Sequence, residues 1–380
     1  MMSRCCASTS TPAARWRSPS APPDASAGWP RSGCDAMADL RVLADATPLL
    51  GRRTGIGRYT ASLVGELASL VDLRLIGFTT RGWRELRSVA PAGARVVGPP
   101  VPARVLRSMW SRGPLPPVEL LAGTSDVVHG TNFVLPPSAR AGGVVTVHDL
   151  AFLDEPSEAP GLEALVRASV RRAAAVCTPT EAVADAVGTR LGVEQSKIVV
   201  TPLGVDREWF DAEPDAELRQ RLPADYLLFV GADGPRKDLP GLLRALDEQL
   251  PPLVVVGPGE PGHDGRVQRI GYLPDPQLRS VVAGARALVL PSRDEGFGLP
   301  ALEALACGVP VVCSDIPALR EVTGGHAELF RYGDAEGLRA ALHRALDAGA
   351  PEAGRTHAAR FTWRACAEAT LRAYRMAADR

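Results

Sequence analysis

The chain is 380 residues long, 46% hydrophobic, and carries 43 basic against 43 acidic side chains. Such a length predicts two domains rather than one, and the even charge balance argues against a nucleic-acid binder held by bulk positive potential, though not against a local basic pocket. No apolar run approaches the roughly 18–20 residues that a membrane-spanning helix needs.

In chain order, residues 1–36 are rich in Ser, Pro, Ala and Arg, include Cys5, Cys6 and Cys34, and lack the apolar core of a signal peptide. That composition predicts a disordered extension. Met37 stands just ahead of a strand-like run at 40–44, and the expectation is that the native chain starts there. From Leu40 onward, short apolar runs alternate with helical patterns, which predicts parallel sheets covered by helices. Strands are expected over 41–44, 73–78, 127–129, 144–148, 175–178 and 198–201, with helices over 57–70 and 161–174. Residues 202–223, with their prolines and acids, read as an inter-domain linker. The pattern then restarts, with strands over 226–230, 253–256, 267–270, 287–290 and 311–313 and helices over 238–248, 276–284, 300–306 and 336–348. Residues 351–380 read as helix with Phe361, Trp363, Leu371 and Tyr374 on its apolar side. The architecture is therefore α/β, two doubly wound domains with a cleft where the carboxyl ends of their strands face each other.

Three strings carry chemistry. The first, PSRDEGFGLPALEALACGVPVV at 291–312, follows a buried strand, crosses a glycine-bearing loop and opens a helix near Leu299 and Pro300 that Gly308 ends. A helix start offers unpaired amides to an anion, and Gly296 and Gly298 allow a ligand close to the backbone. Glu303 is expected in the first helical turn, its carboxylate placed to accept from sugar hydroxyls, and Glu295 sits on the loop. The second string, LLFVGADGPRKDL at 227–239, runs from strand to turn to Arg236 and Lys237, with Asp238 able to cap the next helix. Paired cations at a strand end suit a departing diphosphate. The third, GRRTGIGRY at 51–59, is a glycine-rich loop between the first strand and first helix.

The string at 291–312, with two glutamates eight positions apart, resembles the donor-site signature of retaining GT-B glycosyltransferases of family 4. The resemblance implies two Rossmann-like domains facing a central cleft, with Glu295 toward the donor sugar, Glu303 toward the nucleotide ribose, and Arg236 and Lys237 on the donor pyrophosphate. The family commonly has Asn where Asp238 stands, and some relatives carry a third cation where this chain has Ala232, so phosphate binding here rests on Arg236, Lys237 and the helix start at Gly298 and Leu299. The GIGRY stretch is similar to that of mannosyltransferase-like members, which implies that Gly55, Ile56 and Gly57 lie against the donor. His148, in VTVHDL, matches a position that in the family points at the transferred sugar, whereas His129, in VVHGTN, is open between a structural and a site role. VVTPLGVD at 199–206, TPTE at 178–181 and FTW at 361–363 extend the resemblance from about Leu40 to the end. It divides the chain into the extension 1–36, an acceptor-side domain 37–205, a nucleotide-sugar domain 206–358 and a helix 359–380 crossing back to the first domain.

The expected activity is transfer of a sugar, with GDP-mannose as leading donor and UDP-glucose and others open, to an unidentified carbohydrate or lipid-linked acceptor with retention of configuration. No cofactor or metal is expected, because the chain has no Asp-x-Asp motif and neither histidine has ligand company. A sugar-nucleotide epimerase, a phosphorylase or a catalytically silent scaffold on the same fold are the alternatives; a pyridoxal-dependent phosphorylase would need a lysine, and the chain has only Lys197 and Lys237. The seven cysteines, including Cys177, Cys307, Cys313 and Cys366, form no framework, so reduced thiols in a cytoplasmic protein are expected. Residues 81–112 hold Arg81, Arg84, Arg87, Arg95, Arg104, Arg107 and Arg112 against Glu85 alone, with Val105, Leu106, Met109 and Trp110 at helical spacing. Two readings of that stretch stand: peripheral contact with anionic lipid at the inner membrane face, or a helix packing its apolar side inward and solvating its arginines.

Overall fold

The structure is a computed structural model that describes residues 37–51, 54–80, 82–157, 159–349 and 352–379. The expectations for 1–36, including Cys5, Cys6 and Cys34, and those for Arg52, Arg53, Arg81, Pro351 and Arg380 lie outside these residues.

Two seven-stranded sheets form the two halves. The first is built from β1 (Arg41–Asp45), β2 (Asp72–Ile76), β3 (Arg95–Val96), β4 (Val127–Gly130), β5 (Gly142–Thr146), β6 (Ala175–Thr178) and β7 (Ile198–Val200). All are parallel, in the order β3-β2-β1-β4-β5-β6-β7. The second comprises β8 (Leu227–Val230), β9 (Leu253–Val256), β10 (Gly262–Asp264), β11 (Val267–Gly271), β12 (Ala287–Leu290), β13 (Val311–Ser314) and β14 (Glu328–Phe330), ordered β10-β11-β9-β8-β12-β13-β14, with only β10 antiparallel. Central strands such as β12, Ala-Leu-Val-Leu, are buried at every position, as strands covered on both faces must be. The strand order reverses between β1 and β4 in one sheet and between β8 and β12 in the other, which are the places where doubly wound sheets bind ligands.

The helices that matter for the site are α1 (Gly55–Leu67), α2 (Glu181–Leu191), α3 (Leu299–Ala306), α4 (Pro317–Thr323) and α5 (Trp363–Ala378). Several expectations are corrected. The stretch 351–380 is two helices, Glu352–Ala358 and α5, separated where Thr362 caps α5 by accepting from Ala365 N at 3.1 Å. α5 packs against α1 and the strands β4–β7 of the first sheet. Residues 202–223 are packed rather than a bare linker: Leu203, Val205 and Trp209 are buried, and Ala216–Arg221 is helical behind an Asp215 cap. β5 ends at Thr146, so His148 lies in the following loop and not on the strand.

Candidate active site

The second-domain side begins at the end of β8. The chain turns at Gly231, makes a short 3-10 turn Pro235–Lys237, and places Asp238 in the left-handed region at φ 44, ψ 44. Asp and Asn are the side chains that tolerate this conformation best after glycine, so Asp238 in place of Asn keeps the backbone geometry. Its Oδ1 also accepts from Gly241 N at 3.0 Å and caps the next helix, Leu239–Ala245. Arg236 and Lys237 are thereby aimed at the loop after β12. Lys237 Nζ donates to Glu295 Oε1, and Arg236 Nη1 donates to Glu295 Oε2 at 3.1 Å and to the Asp294 carbonyl at 2.9 Å. Ser292 Oγ donates to Glu295 Oε1 at 2.7 Å, and Arg293 N to the Arg236 carbonyl at 2.8 Å. Burial alone would raise the Glu295 carboxyl; the Lys237 and Arg236 cations outweigh it and hold the group below the usual carboxylate range. An ammonium has three N–H groups and a guanidinium five, more than these bonds use, so donors remain for an anion entering the cleft.

Gly298, at φ 90, ends the loop and opens α3, with Pro300 in the first turn and no side chain capping the helix start. Gly308, at φ 74, ends the helix region as expected, with Val309 N donating to the Ala304 carbonyl at 2.8 Å. Glu303 is the fifth residue of α3 and lies beyond its first turn, contrary to expectation. It is also buried away from the cavity surface, bonded to the guanidinium of Arg58. Burial pushes the Glu303 carboxyl up, opposed by the Arg58 charge.

The first-domain side is the start of α1. Thr54 does not cap it, and Gly55 and Ile56 line the cavity, while Gly57 is buried behind them. Arg58 crosses the cleft: besides Glu303 it lies 3.8 Å from Asp275 Oδ1, and its guanidinium sits 5.4 Å over the Trp209 ring. Nothing in the local sequence distinguishes Arg58 from its arginine neighbours, because its partner is 245 positions away.

His148 lines the same cavity. Its Nε2 lies 2.9 Å from the Thr131 carbonyl, which only accepts, so Nε2 carries the proton and Nδ1 is the acceptor nitrogen. Burial lowers its pKa, which keeps the ring neutral. Tyr59 and Phe133 meet it edge-on at 4.8 and 5.5 Å. His129 resolves to a structural role: fully buried, its Nδ1 is 2.8 Å from Tyr374 Oη and its Nε2 2.8 Å from Thr146 Oγ1, which in turn is 2.9 Å from Tyr59 Oη. This chain of bonds ties α5 through β4 and β5 to α1.

The domains meet closely around the site. Thr180 Oγ1 donates to the Gly296 carbonyl at 3.0 Å, Glu321 of α4 accepts from Glu181 N at the start of α2 at 2.9 Å, and Arg293 pairs with Glu155 at 2.5 Å. A Cβ at Gly296 would run into the His148 carbonyl, so the glycine is required by the approach of the two domains. Between them lies a cavity of about 410 Å³ lined by Gly55, Ile56, His148, Arg236, Lys237 and Glu295 among others, and by Gly298 and Leu299 at the start of α3. Of the sequence-predicted site residues, only Gly57 and Glu303 do not reach its surface. Among the described residues no cluster of three His, Cys, Asp or Glu could hold a metal ion, and no helix is long and apolar enough to cross a membrane.

Comparison with known proteins places this geometry. Residues 224–348 match the family described as glycosyl transferases group 1, and residues 54–204 match the glycosyl transferase 4-like domain. The chain is 30% identical over 284 residues to O-antigen chain mannosyltransferase B of Escherichia coli, covering 66% of this chain and 74% of that protein. It is 32% identical over 227 residues to the MMP alpha-(1->4)-mannosyltransferase of Mycolicibacterium hassiacum, covering 53% of this chain and 54% of that one. In fold it is similar to the sucrose-phosphate synthase of Thermosynechococcus elongatus, with a TM-score of 0.67 at 21% identity, covering 88% of this chain and 98% of the other. Anabaena HepE, solved with UDP and glucose, gives 0.65 at 16% identity, with coverages of 88% and 98%.

Proposed function

We propose, from the premise that the chain belongs to the group 1 glycosyl transferases and is a glycosyltransferase of GT-B fold, that it moves mannose from GDP-mannose to a carbohydrate or lipid-linked acceptor, with retention of configuration and without a metal ion. The observation that carries the reading is the buried Glu295 bound to both Arg236 and Lys237, facing His148 and the uncapped start of α1 across the cavity. The mannosyl donor is favoured because the Gly55–Leu67 helix start and the His148 loop are the segments that look most like mannosyltransferase relatives, and both line the cavity.

In this reading Arg236, Lys237 and the amides at the start of α3 take the diphosphate charge that develops as the bond from the anomeric carbon to the phosphate oxygen breaks. The bond's electron pair leaves with the diphosphate. The acceptor hydroxyl oxygen attacks the anomeric carbon from the same face, which brings its proton beside the departing phosphate oxygen, the base that receives it. Neutral His148 accepts a hydroxyl of the sugar through Nδ1, and Glu295 orders the two cations while facing the sugar. Glu303, kept ionised by Arg58, accepts from the ribose. Residence in the cytoplasm with peripheral contact at the inner membrane face belongs to the same reading.

The test is to incubate the full chain with GDP-mannose, UDP-glucose or ADP-glucose and simple mannoside acceptors, with and without EDTA, and to assign the anomeric configuration of the product by NMR. An α-linked mannoside formed equally in EDTA supports the proposal. Transfer from another donor only, inversion, or loss of transfer in EDTA each overturns the corresponding part.

A further inference from the structure

The described residues include seven exposed large apolar side chains, and four of them fall within one short stretch: Val105 at 54%, Met109 at 45%, Leu115 at 65% and Leu120 at 75% exposure. The helix Ala103–Trp110 has two apolar sides. Leu106 and Trp110 enter the core beside Phe78, Val118 and Phe133, and Trp110 meets Phe78 edge-on at 5.1 Å. Val105 and Met109, four apart and so on one face, are covered by no element among the described residues. Leu115 is held beside this helix because Trp110 Nε1 donates to the Pro116 carbonyl at 3.1 Å. A cluster of exposed apolar residues of this kind marks an interaction surface more often than a solvated one.

The charge on this stretch says what it meets. Arg104, Arg107 and Arg112 are exposed, three cations against the single acid Glu119, whose Oε1 accepts from Ser138 Oγ at 2.6 Å and from the amides of Ala139 and Arg140. Apolar side chains framed by arginines match a surface that is anionic at its face and apolar below it. The same stretch adjoins the carboxyl edge of the first sheet. Phe78 N donates to Thr47 Oγ1 at 2.9 Å, Thr47 Oγ1 donates to Asp45 at the end of β1 at 2.5 Å, and the Arg107 charge reaches that buried carboxyl. Phe133, in the same apolar cluster, meets His148 edge-on.

We infer that the segment from the helix Ala103–Trp110 to Leu120 lies on an anionic lipid bilayer and holds the acceptor side of the cleft against it. The docking stands independently of the transfer chemistry; delivery of a lipid-linked acceptor rests on the glycosyltransferase reading. The test is co-sedimentation of the full chain with vesicles of phosphatidylcholine alone or mixed with phosphatidylglycerol. Binding is expected to the mixed vesicles only, to weaken with salt, and to fall at least tenfold in Val105→Glu/Met109→Glu and in Arg104→Ser/Arg107→Ser/Arg112→Ser, each arginine counting about fivefold. All five positions are exposed, so circular dichroism and nucleotide binding are expected to match the parent and to show that the variants fold. Equal binding to both vesicle types, or binding untouched by both variants, overturns the inference. So does a dimer that the Val105→Glu/Met109→Glu variant dissociates in a protein that binds no vesicles. Vesicle binding without sugar transfer leaves the surface standing and removes the proposed reaction.

Discussion

Arg58, from the first helix of one domain, donates its guanidinium to the carboxylate of Glu303, from the signature helix of the other; Glu303 is buried and Arg58 partly so. Asp275 and Asp206 add their fields, so one cation serves three acids at the seam of the cleft. Removing it leaves Glu303 without a counter-ion where burial favours the protonated form, and a protonated carboxyl is a poorer acceptor for ribose hydroxyls. Arg58→Ala is expected to raise the donor KM by about ten- to a hundredfold, the size of one charge-assisted hydrogen bond, with kcat changed much less, and Arg58→Lys to recover part of the loss. With a 2′,3′-dideoxy nucleotide the variant and the parent should bind alike; a difference that persists there contradicts the role.

Gly296 tests domain closure. Its Cα faces the His148 carbonyl with no room for a methyl group, and backbone atoms on both sides cannot move aside as a flexible side chain would. Gly296→Ala is expected to leave both sheets folded but to hold the cleft open, with transfer reduced more than about a hundredfold, as a small misplacement of reacting groups produces. Small-angle scattering and steady-state rates check it; a compact, fully active variant contradicts it.

Much of this fold is written in local pattern. The central strands β8, β9 and β12 are continuous apolar runs, and Pro300 and Gly308 bracket α3. The edge strands β3, β10 and β14 were not legible, being two or three residues long and largely exposed or half-exposed, so no buried face stamps an alternation on them. The second-domain half of the site was readable because Arg236, Lys237 and Glu295 sit in two compact strings. Arg58, Thr180 and Gly296 act on the opposite domain, and the approach that gives them meaning appears only when both domains are in place. Glu303 does not line the cavity for the same reason, since the arginine that covers it comes from the far side.

Glu295 neutralises the two cations that the diphosphate needs. Glu295→Gln is expected to tighten binding of a free nucleoside diphosphate by a factor on the order of ten, as about one charge-assisted bond is regained, while transfer falls because the group facing the sugar has changed. Calorimetry against turnover separates the two effects; weaker diphosphate binding in Glu295→Gln contradicts the assignment.

The stability of the fold should depend on His129. Burial lowers its pKa to about 3, so in the folded state it stays neutral while the unfolded chain takes up a proton near pH 6.5. The unfolded state therefore binds more protons between those values, and stability is lost as pH falls below about 6.5, by up to roughly 1.4 kcal/mol per pH unit from this group. His148, also held neutral by burial, acts in the same direction. His129→Gln is expected to be less stable at neutral pH, having lost fitted bonds to Tyr374 and Thr146, but to decline less steeply between pH 6.5 and 5. Urea midpoints across that range check it, and parallel slopes contradict it.

The most direct measurement is calorimetric titration of the full chain with GDP, UDP and ADP, repeated on Lys237→Ala and in EDTA. GDP is expected to bind tightest, Lys237→Ala to weaken it at least about tenfold through loss of a charge-assisted contact, and EDTA to change nothing. Failure of all three nucleotides to bind, or binding abolished by EDTA, contradicts a donor site built from Arg236, Lys237 and the start of α3.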